Sequence, residues 1–432
     1  MQSKSNHGKM TLIAAAGSTL ETYEFVIFAM LAPYISQTFF TNDPNHVQAL
    51  AAFAIGYIAR PLGGIIFGLI GDIYGRRISF SYSLVIIAWA TLGISLLPGY
   101  DSIGWMAPCA LIFLRGCQGI SYGAEMAGAI TLVREYAPLN RRGLYLCLLM
   151  ICVSLGSFLA SGLIYILGQT SISMEAYGWR IPFLIGSIGA LFAFYARRTL
   201  QESPEFLECK KNKKCTNSVP PLTQPLRTLI RDYKPQLLCT FGLNIFLTLI
   251  AILYFYLPTY VTTYTGHESA DVFGMICLAF LGSILPAIGG GILADKGYKL
   301  STMIAVICIF MSLLIPIHTW LLNTSSAWTL FSGIFLFELA YLMYWPSFSL
   351  FVTDLFPVQV RYTAIASTYN LTYSLVSLLP MGLAFSFKYG FNPWLLPIVA
   401  ATVSLFSVAT IVYAWREGLL SPKVINNLAE IG

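Results

Sequence analysis

Apolar stretches of membrane-spanning length follow one another along the whole chain, and this recurrence limits the possible folds more than any single motif does. A run of about 20 apolar residues coiled as a helix matches the hydrocarbon core of a bilayer, and a helix satisfies its own backbone hydrogen bonds where no water can. The hydropathy pattern predicts spans near 11–40, 47–71, 78–97, 105–133, 143–168, 180–199, 236–264, 271–294, 300–322, 328–352, 362–387 and 393–415. That gives twelve, six on each side of a polar linker. The expected class is an all-α membrane protein with an N-terminal six-helix half over 1–199, a linker over 200–235, a C-terminal six-helix half over 236–416 and a short tail over 417–432.

Composition excludes other classes. Of 432 residues, 57% are hydrophobic and only 10% charged, where soluble domains carry roughly 25% charged residues. A net charge of +6 would suggest a nucleic-acid partner if the basic residues formed a stripe. They form none, so no nucleic acid is expected. Most of the nine cysteines lie in apolar runs, where cysteine behaves as a small hydrophobe. Cys209 and Cys215 flank a lysine-rich run without further ligands nearby, so neither a disulfide framework nor a metal site is expected. The first apolar run, from Met10, is too long and too acidic for a cleaved leader and reads as the first span.

The basic residues are ordered by side. Lys4, Lys9, Arg76, Arg77, Arg141, Arg142, the linker cluster, Lys296, Lys299, Arg361, Arg416 and Lys423 all fall on one face, with Arg180 and Lys388 the exceptions opposite. The positive-inside rule makes that face the cytoplasm, so both termini and the linker are expected there.

The halves repeat each other. Gly68-x-x-x-Asp72 after the second span returns as Gly291-x-x-x-Asp295 after the eighth, and Glu135-x-x-Pro138-x-x-x-Arg142 after the fourth returns as Asp354-x-x-Pro357-x-x-x-Arg361 after the tenth. The offsets are 223 and 219 residues. A parallel repeat of this kind places a solute site between the halves near the bilayer midplane.

Through Gly68-Leu-Ile-Gly-Asp72-Ile-Tyr-Gly75-Arg76-Arg77 the chain resembles the major facilitator superfamily. Within it, the chain resembles the bacterial metabolite:proton symporters, carriers of proline and betaine and of organic acids. The resemblance runs through GSTLETYEF (17–25), ARPLGG (59–64), RGCQGISYGAEMAGA (115–129), EYAPLNRRG (135–143), ESPEF (202–206), YLPTYVTTYTG (256–266), DLFPVQVRYT (354–363) and Tyr369-Asn370. Thr22 and Met126 stand where that branch usually has tryptophan, which argues against an aromatic cage for a quaternary ammonium. The resemblance implies a bacterial inner-membrane carrier working by alternating access. It also implies a cytoplasmic gate built from Gly68, Asp72, Gly75, Arg76, Arg77, Glu135, Arg142, Asp295, Asp354 and Arg361. In that gate Asp72 is suited to a neighbouring helix N-terminus or an arginine, and Gly68 and Gly75 to close approach and a tight turn.

Glu21, Glu24, Arg60, Arg115, Glu125 and Glu338 fall inside predicted spans, where each costs about 2.5–3.5 kcal/mol on insertion scales, so a functional role is the default reading. The alternative is a pairing that only holds helices together. Glu21 and Glu24 are three residues apart, and Arg115, Gln118, Tyr122 and Glu125 form a stripe spaced 3, 4 and 3, so both stripes can face one cavity. Buried carboxylates on neighbouring turns repel when both are ionised, which suits them to hold a proton. Glu21, Glu24 and Glu125 are therefore the expected proton-coupling group. Arg115, with Arg60, Gln118 and Tyr122, is the expected substrate contact, its guanidinium a bidentate partner for a carboxylate. Tyr256, Tyr260 and Asn370 are candidates for the opposite wall.

The expected function is proton-coupled symport of a small carboxylate-bearing polar solute, an amino acid, other zwitterion or organic acid. The partners are that solute, protons and the lipid bilayer; the chain is expected to be a monomer, to have no cofactor and not to be an enzyme. No G-x-x-x-x-G-K-[ST] loop is present for ATP, and the proton gradient is the energy source. Export of an organic acid or drug-like compound by the same fold stays open. A non-transporting sensor predicts an added soluble domain, and an intramembrane enzyme a mid-span histidine beside a second ligand; neither His7, His46, His267 nor His318 has that setting.

Overall fold

The computed structural model describes residues 5–40, 47–199, 224–264, 269–296, 300–322, 326–379 and 395–418, together with 202, 207 and 382. The side chains of 254–260 and 262–264 lie outside that description.

Among the described residues the helices group into twelve spans, numbered in chain order. Span 1 is Ser5–Met30 continued by Ala32–Phe39, and span 2 is Val47–Ile58 continued by Arg60–Tyr74. Spans 3 to 6 are Arg76–Leu96, Met106–Tyr136, Arg142–Gly168 and Arg180–Arg197. Spans 7 to 10 are Lys234–Tyr264, Ser269–Asp295, Leu300–Leu322 and Ala327–Asp354, and Val358–Val376 and Leu395–Arg416 belong to spans 11 and 12. Eight helices among the described residues are, by length and composition, long and apolar enough to cross a membrane. Span 4 is not one of them, because it carries Arg115, Gln118, Tyr122 and Glu125 through its middle. The linker is not all loop, since Gln224–Asp232 forms a separate helix before span 7.

A break in span 2 and a set of glycines set the geometry of the first half. Pro61 has no N–H to continue the ladder, and span 2 breaks at Ala59 so that Arg60 opens its second helix. Spans 2 and 4 cross at backbone contact: a Cβ on Gly63, Gly119 or Gly123 would run into backbone atoms of the facing helix. Without a hydrophobic force between helices in lipid, such close packing is what holds them. Gly75 ends span 2 at φ +118°, a conformation other residues rarely adopt.

The halves meet along two related seams. The second helix of span 2 packs on span 11, and span 5 packs on span 8. These pairs correspond under the internal repeat, so the interface has the approximate two-fold symmetry implied by the repeated motifs.

Candidate functional site

On the linker face both seams are fastened by an aspartate against a helix beginning. The Asp72 carboxylate accepts hydrogen bonds from the Thr363 backbone N–H at 2.9 Å and its hydroxyl at 2.7 Å, near the start of span 11. Asp295 accepts from the backbone N–H groups of Gly143 at 2.6 Å and Leu144 at 2.9 Å, in the first turn of span 5. The Asp295 contact places an anion at the positive end of a helix dipole, while the Asp72 contact lies past the first turn of span 11. A Cβ on Gly68 would come within 3.2 Å of the Thr363 Cα, so this glycine permits the first contact. Two ion pairs join the halves beside them: Arg361 to Glu135 at 3.1 Å and Arg134 to Asp354 at 2.8 Å. Arg134 was not among the expected gate residues. Arg77 stays within its own half, donating to the Arg198 carbonyl at 2.8 Å, Arg142 opens span 5, and the Arg76 side chain lies outside the described residues.

A central cavity lies between the halves above these contacts. Its walls include Glu21, Thr22, Phe25, Tyr57, Arg60, Met126, Ser154 and Ser157 from the first half, and Ala251, Glu338, Tyr341, Tyr369 and Tyr373 from the second. Its volume is about 30 Å³, room for one or two waters, so the walls have closed together. Thr22 and Met126, the positions without the family's tryptophans, both face it.

Arg60 is the basic residue among those lining the cavity, beside the acids Glu21 and Glu338. One terminal nitrogen, Nη2, is bonded to Glu21, while Nε and Nη1 have no hydrogen-bond partner among the described residues, nor does Glu21 Oε2. Four rings surround the guanidinium: Phe25 at 4.5 Å, Tyr57 at 4.6 Å, Tyr373 at 5.0 Å and Tyr122 at 5.7 Å from ring centroid to Cζ. Tyr57 and Tyr373 stack across the halves, 5.6 Å apart and 9° from parallel. The aromatic cage thus closes on the protein's own cation, in contacts that strengthen as water leaves.

The rest of the expected coupling and substrate group turns elsewhere. Three residues along a helix leave side chains roughly 60° apart, enough for Glu21 to face the cavity while Glu24 faces the interior of the first half. There Glu24 accepts from Tyr122, from Thr91 at 2.5 Å and from Gln118 at 3.0 Å, and Gln118 in turn accepts from Arg115 at 2.8 Å. Arg115 is wholly enclosed, with its Cζ 4.0 Å from the centroid of the Phe28 ring, and does not line the cavity. The expected stripe is a stripe, but its common neighbour is this internal network rather than the cavity. Glu125 is held by Arg197 through two bonds of 2.9 and 2.7 Å and also accepts from Ser83. Arg197 donates to the carbonyls of Phe80 at 2.6 Å and Ala14 at 3.2 Å and has no exposed surface. Asn370 reaches across the halves instead of into the cavity, donating to the Gly123 carbonyl at 2.8 Å. Tyr256 and Tyr260 lie on span 7, but their side chains are outside the described ones.

Sequence reasoning missed several cavity residues that carried a signal. Tyr57 is one turn before Arg60, Tyr341 one turn after Glu338, and Tyr369 and Tyr373 are four apart, so each pair shares a helix face. Arg197 carried none, because it ends span 6 among the basic residues that flank the spans.

Two six-helix halves related by a repeat, fastened on one face and enclosing a charged cavity at mid-depth, define a solute carrier of the alternating-access type. The family model described as Major Facilitator Superfamily matches residues 14–381, and the chain belongs to that superfamily. It is a multi-pass membrane transporter and not an enzyme. It is 33% identical over 384 residues to the "Putative proline/betaine transporter" of Staphylococcus aureus (strain MSSA476), covering 85% of this chain and 79% of that protein. It is 30% identical over 377 residues to the "Inner membrane metabolite transport protein YhjE" of Escherichia coli (strain K12), covering 84% of each. The "Glycine betaine/proline/ectoine/pipecolic acid transporter OusA" of Dickeya dadantii (strain 3937) is 29% identical over 388 residues, 86% of this chain and 76% of that one. Among solved structures the fold matches the proton:xylose symporter XylE bound to 6-bromo-6-deoxy-D-glucose, with a TM-score of 0.74, 18% identity, and coverage of 95% of this chain and 96% of that one.

Proposed function

We propose that this chain is a proton-coupled symporter of a small zwitterion of the amino- or imino-acid class, residing in a bacterial inner membrane with the linker face toward the cytoplasm. The observation that carries the reading is Arg60, a buried guanidinium bordering the cavity with one nitrogen on Glu21 and two nitrogens unpartnered among the described residues. A guanidinium can hold one carboxylate bidentately. While Glu21 is ionised it competes for that fork; once Glu21 takes a proton the fork is released to a solute carboxylate. Proton and anionic group then enter together, and the local charge balance is preserved. Glu338, Tyr341 and Tyr369 on the second half supply an acid and ring faces for the cationic nitrogen. The names of the relatives from Staphylococcus and Dickeya support a carboxylate-bearing nitrogen compound. Thr22 and Met126 at the wall, and a cage already filled by Arg60, favour a primary or secondary ammonium over a quaternary one.

Closure of the linker face by Asp72, Asp295, Glu135 and Arg361 corresponds to one end of the transport cycle. A proton entering down 100 mV supplies about 2.3 kcal/mol, which supports roughly fifty-fold accumulation. The test is uptake of labelled proline and of glycine betaine by purified protein in liposomes, with an imposed pH gradient, alkaline inside. Gradient-driven accumulation of proline, with weaker betaine uptake, is expected. Efflux alone, or uptake indifferent to the gradient, refutes the symport reading.

A further inference from the structure

Away from the central cavity, the linker helix Gln224–Asp232 roofs a second hollow of about 390 Å³, within the size range of small-molecule sites. Leu226, Leu229 and Ile230 of this helix, at helical spacing, face Leu237 and Phe241 of span 7 and Leu371 of span 11. Ile230 and Leu371 are 55% and 45% exposed, so the hollow is open along one side. Its mouth carries Lys234, and Arg231 stands out beside it with its side chain 84% exposed, its Nε 3.6 Å from the exposed Asp232 carboxylate and its two terminal nitrogens available to a headgroup. Arg227 lies one turn before Arg231 on the same stripe, also exposed.

An apolar interior with a cationic rim, at the level where a span enters the membrane, has the chemistry of a phospholipid: chain inward, phosphate on the rim. Clusters of Lys and Arg beside a span attract anionic headgroups, and basic pockets between spans hold them. We propose that this hollow is a binding site for one anionic phospholipid of the linker-side leaflet, with an acyl chain against Leu229, Leu237 and Phe241 and the headgroup phosphate on Lys234 and Arg231. The hollow borders span 11, the helix whose Thr363 is fastened to Asp72.

The test is retention of lipid by native mass spectrometry, together with thermal stability, for protein equilibrated with dioleoyl phosphatidylglycerol or dioleoyl phosphatidylcholine. One tightly retained phosphatidylglycerol and a higher melting temperature in that lipid are expected. K234Q/R231Q, removing two charges at about 1 kcal/mol each, is expected to lose roughly 30-fold in affinity for it. L371W, which narrows the hollow without touching charge, is expected to weaken retention while melting normally in phosphatidylcholine. If K234Q/R231Q does not fold, R227Q/R231Q carries the charge test. Equal retention of the two lipids, or phosphatidylglycerol held undiminished by L371W, overturns the proposal. So does stabilisation by inorganic phosphate alone, or a dimer in detergent that L371W dissociates, which would make a second copy the occupant.

Discussion

Asp72 holds Thr363 through both its backbone N–H and its hydroxyl, and Thr363 belongs to the other half of the molecule. Asp295, 223 residues later, makes the related contact in the opposite direction, from the second half to Gly143 and Leu144 of the first. Each lost charge-assisted bond is worth about 1.5–3 kcal/mol. Asp295→Asn is therefore expected to shift the closed-to-open ratio roughly 10- to 150-fold toward opening on the linker face. Cys147, buried in the same seam with its thiol on the Ala287 carbonyl at 3.0 Å, reports it. With the other cysteines replaced, its alkylation should accelerate in Asp295→Asn and in Asp72→Asn, while solute binding survives. An unchanged alkylation rate in both removes the aspartates from the latch.

Glu125 and Arg197 are predicted to be structural. Both are fully enclosed and doubly bonded, and breaking such a pair from one side leaves a buried charge at a cost of about 3–5 kcal/mol. Arg197→Gln should lower the melting temperature and expression sharply, and Arg197→Gln with Glu125→Gln should recover part of the loss because no lone charge remains. If Glu125→Gln instead keeps wild-type stability and abolishes pH-driven accumulation alone, Glu125 carries the proton.

The architecture was legible because bilayer thickness and the repeated motifs dictate it: twelve spans follow from run length, and two related halves with a site between them from where the Asp72 and Asp295 motifs recur, whereas the pairing of spans 2 with 11 and 5 with 8 came only from the structure. The cavity was only half legible. Arg60 and Glu21 border it as their burial and charge required, but the direction of Arg115, Gln118 and Tyr122 depends on how span 4 is rotated. That rotation is fixed by glycine contacts such as Gly63 and Gly123 between spans 2 and 4, and periodicity gives a stripe without its azimuth.

Glu21→Gln separates coupling from binding. Glutamine has nearly the size of the protonated acid and leaves the Arg60 fork to the solute. Binding and counterflow exchange of proline should persist, whereas accumulation driven by a pH gradient should disappear. A Glu21→Gln protein that still concentrates proline in proportion to the gradient sends the coupling role to Glu338, the other acid on the cavity wall, or to Glu24.

Arg60→Lys is the reciprocal test, because it keeps the charge and removes the fork. An ammonium is a point donor that cannot span both oxygens of a carboxylate, and it fits four surrounding rings less well than a planar guanidinium. Losing one charge-assisted hydrogen bond of about 1.5–3 kcal/mol is expected to weaken proline affinity roughly 10- to 150-fold. Exchange should fall in step with binding, while any residual uptake keeps its dependence on the pH gradient. Arg115→Lys provides the contrast. Arg115 lies outside the cavity, so its replacement should reduce stability through the Gln118–Glu24 network and leave affinity within a few-fold of the original. If Arg115→Lys weakens proline binding and Arg60→Lys does not, the solute carboxylate binds in the interior of the first half, and the assignment of Arg60 is wrong.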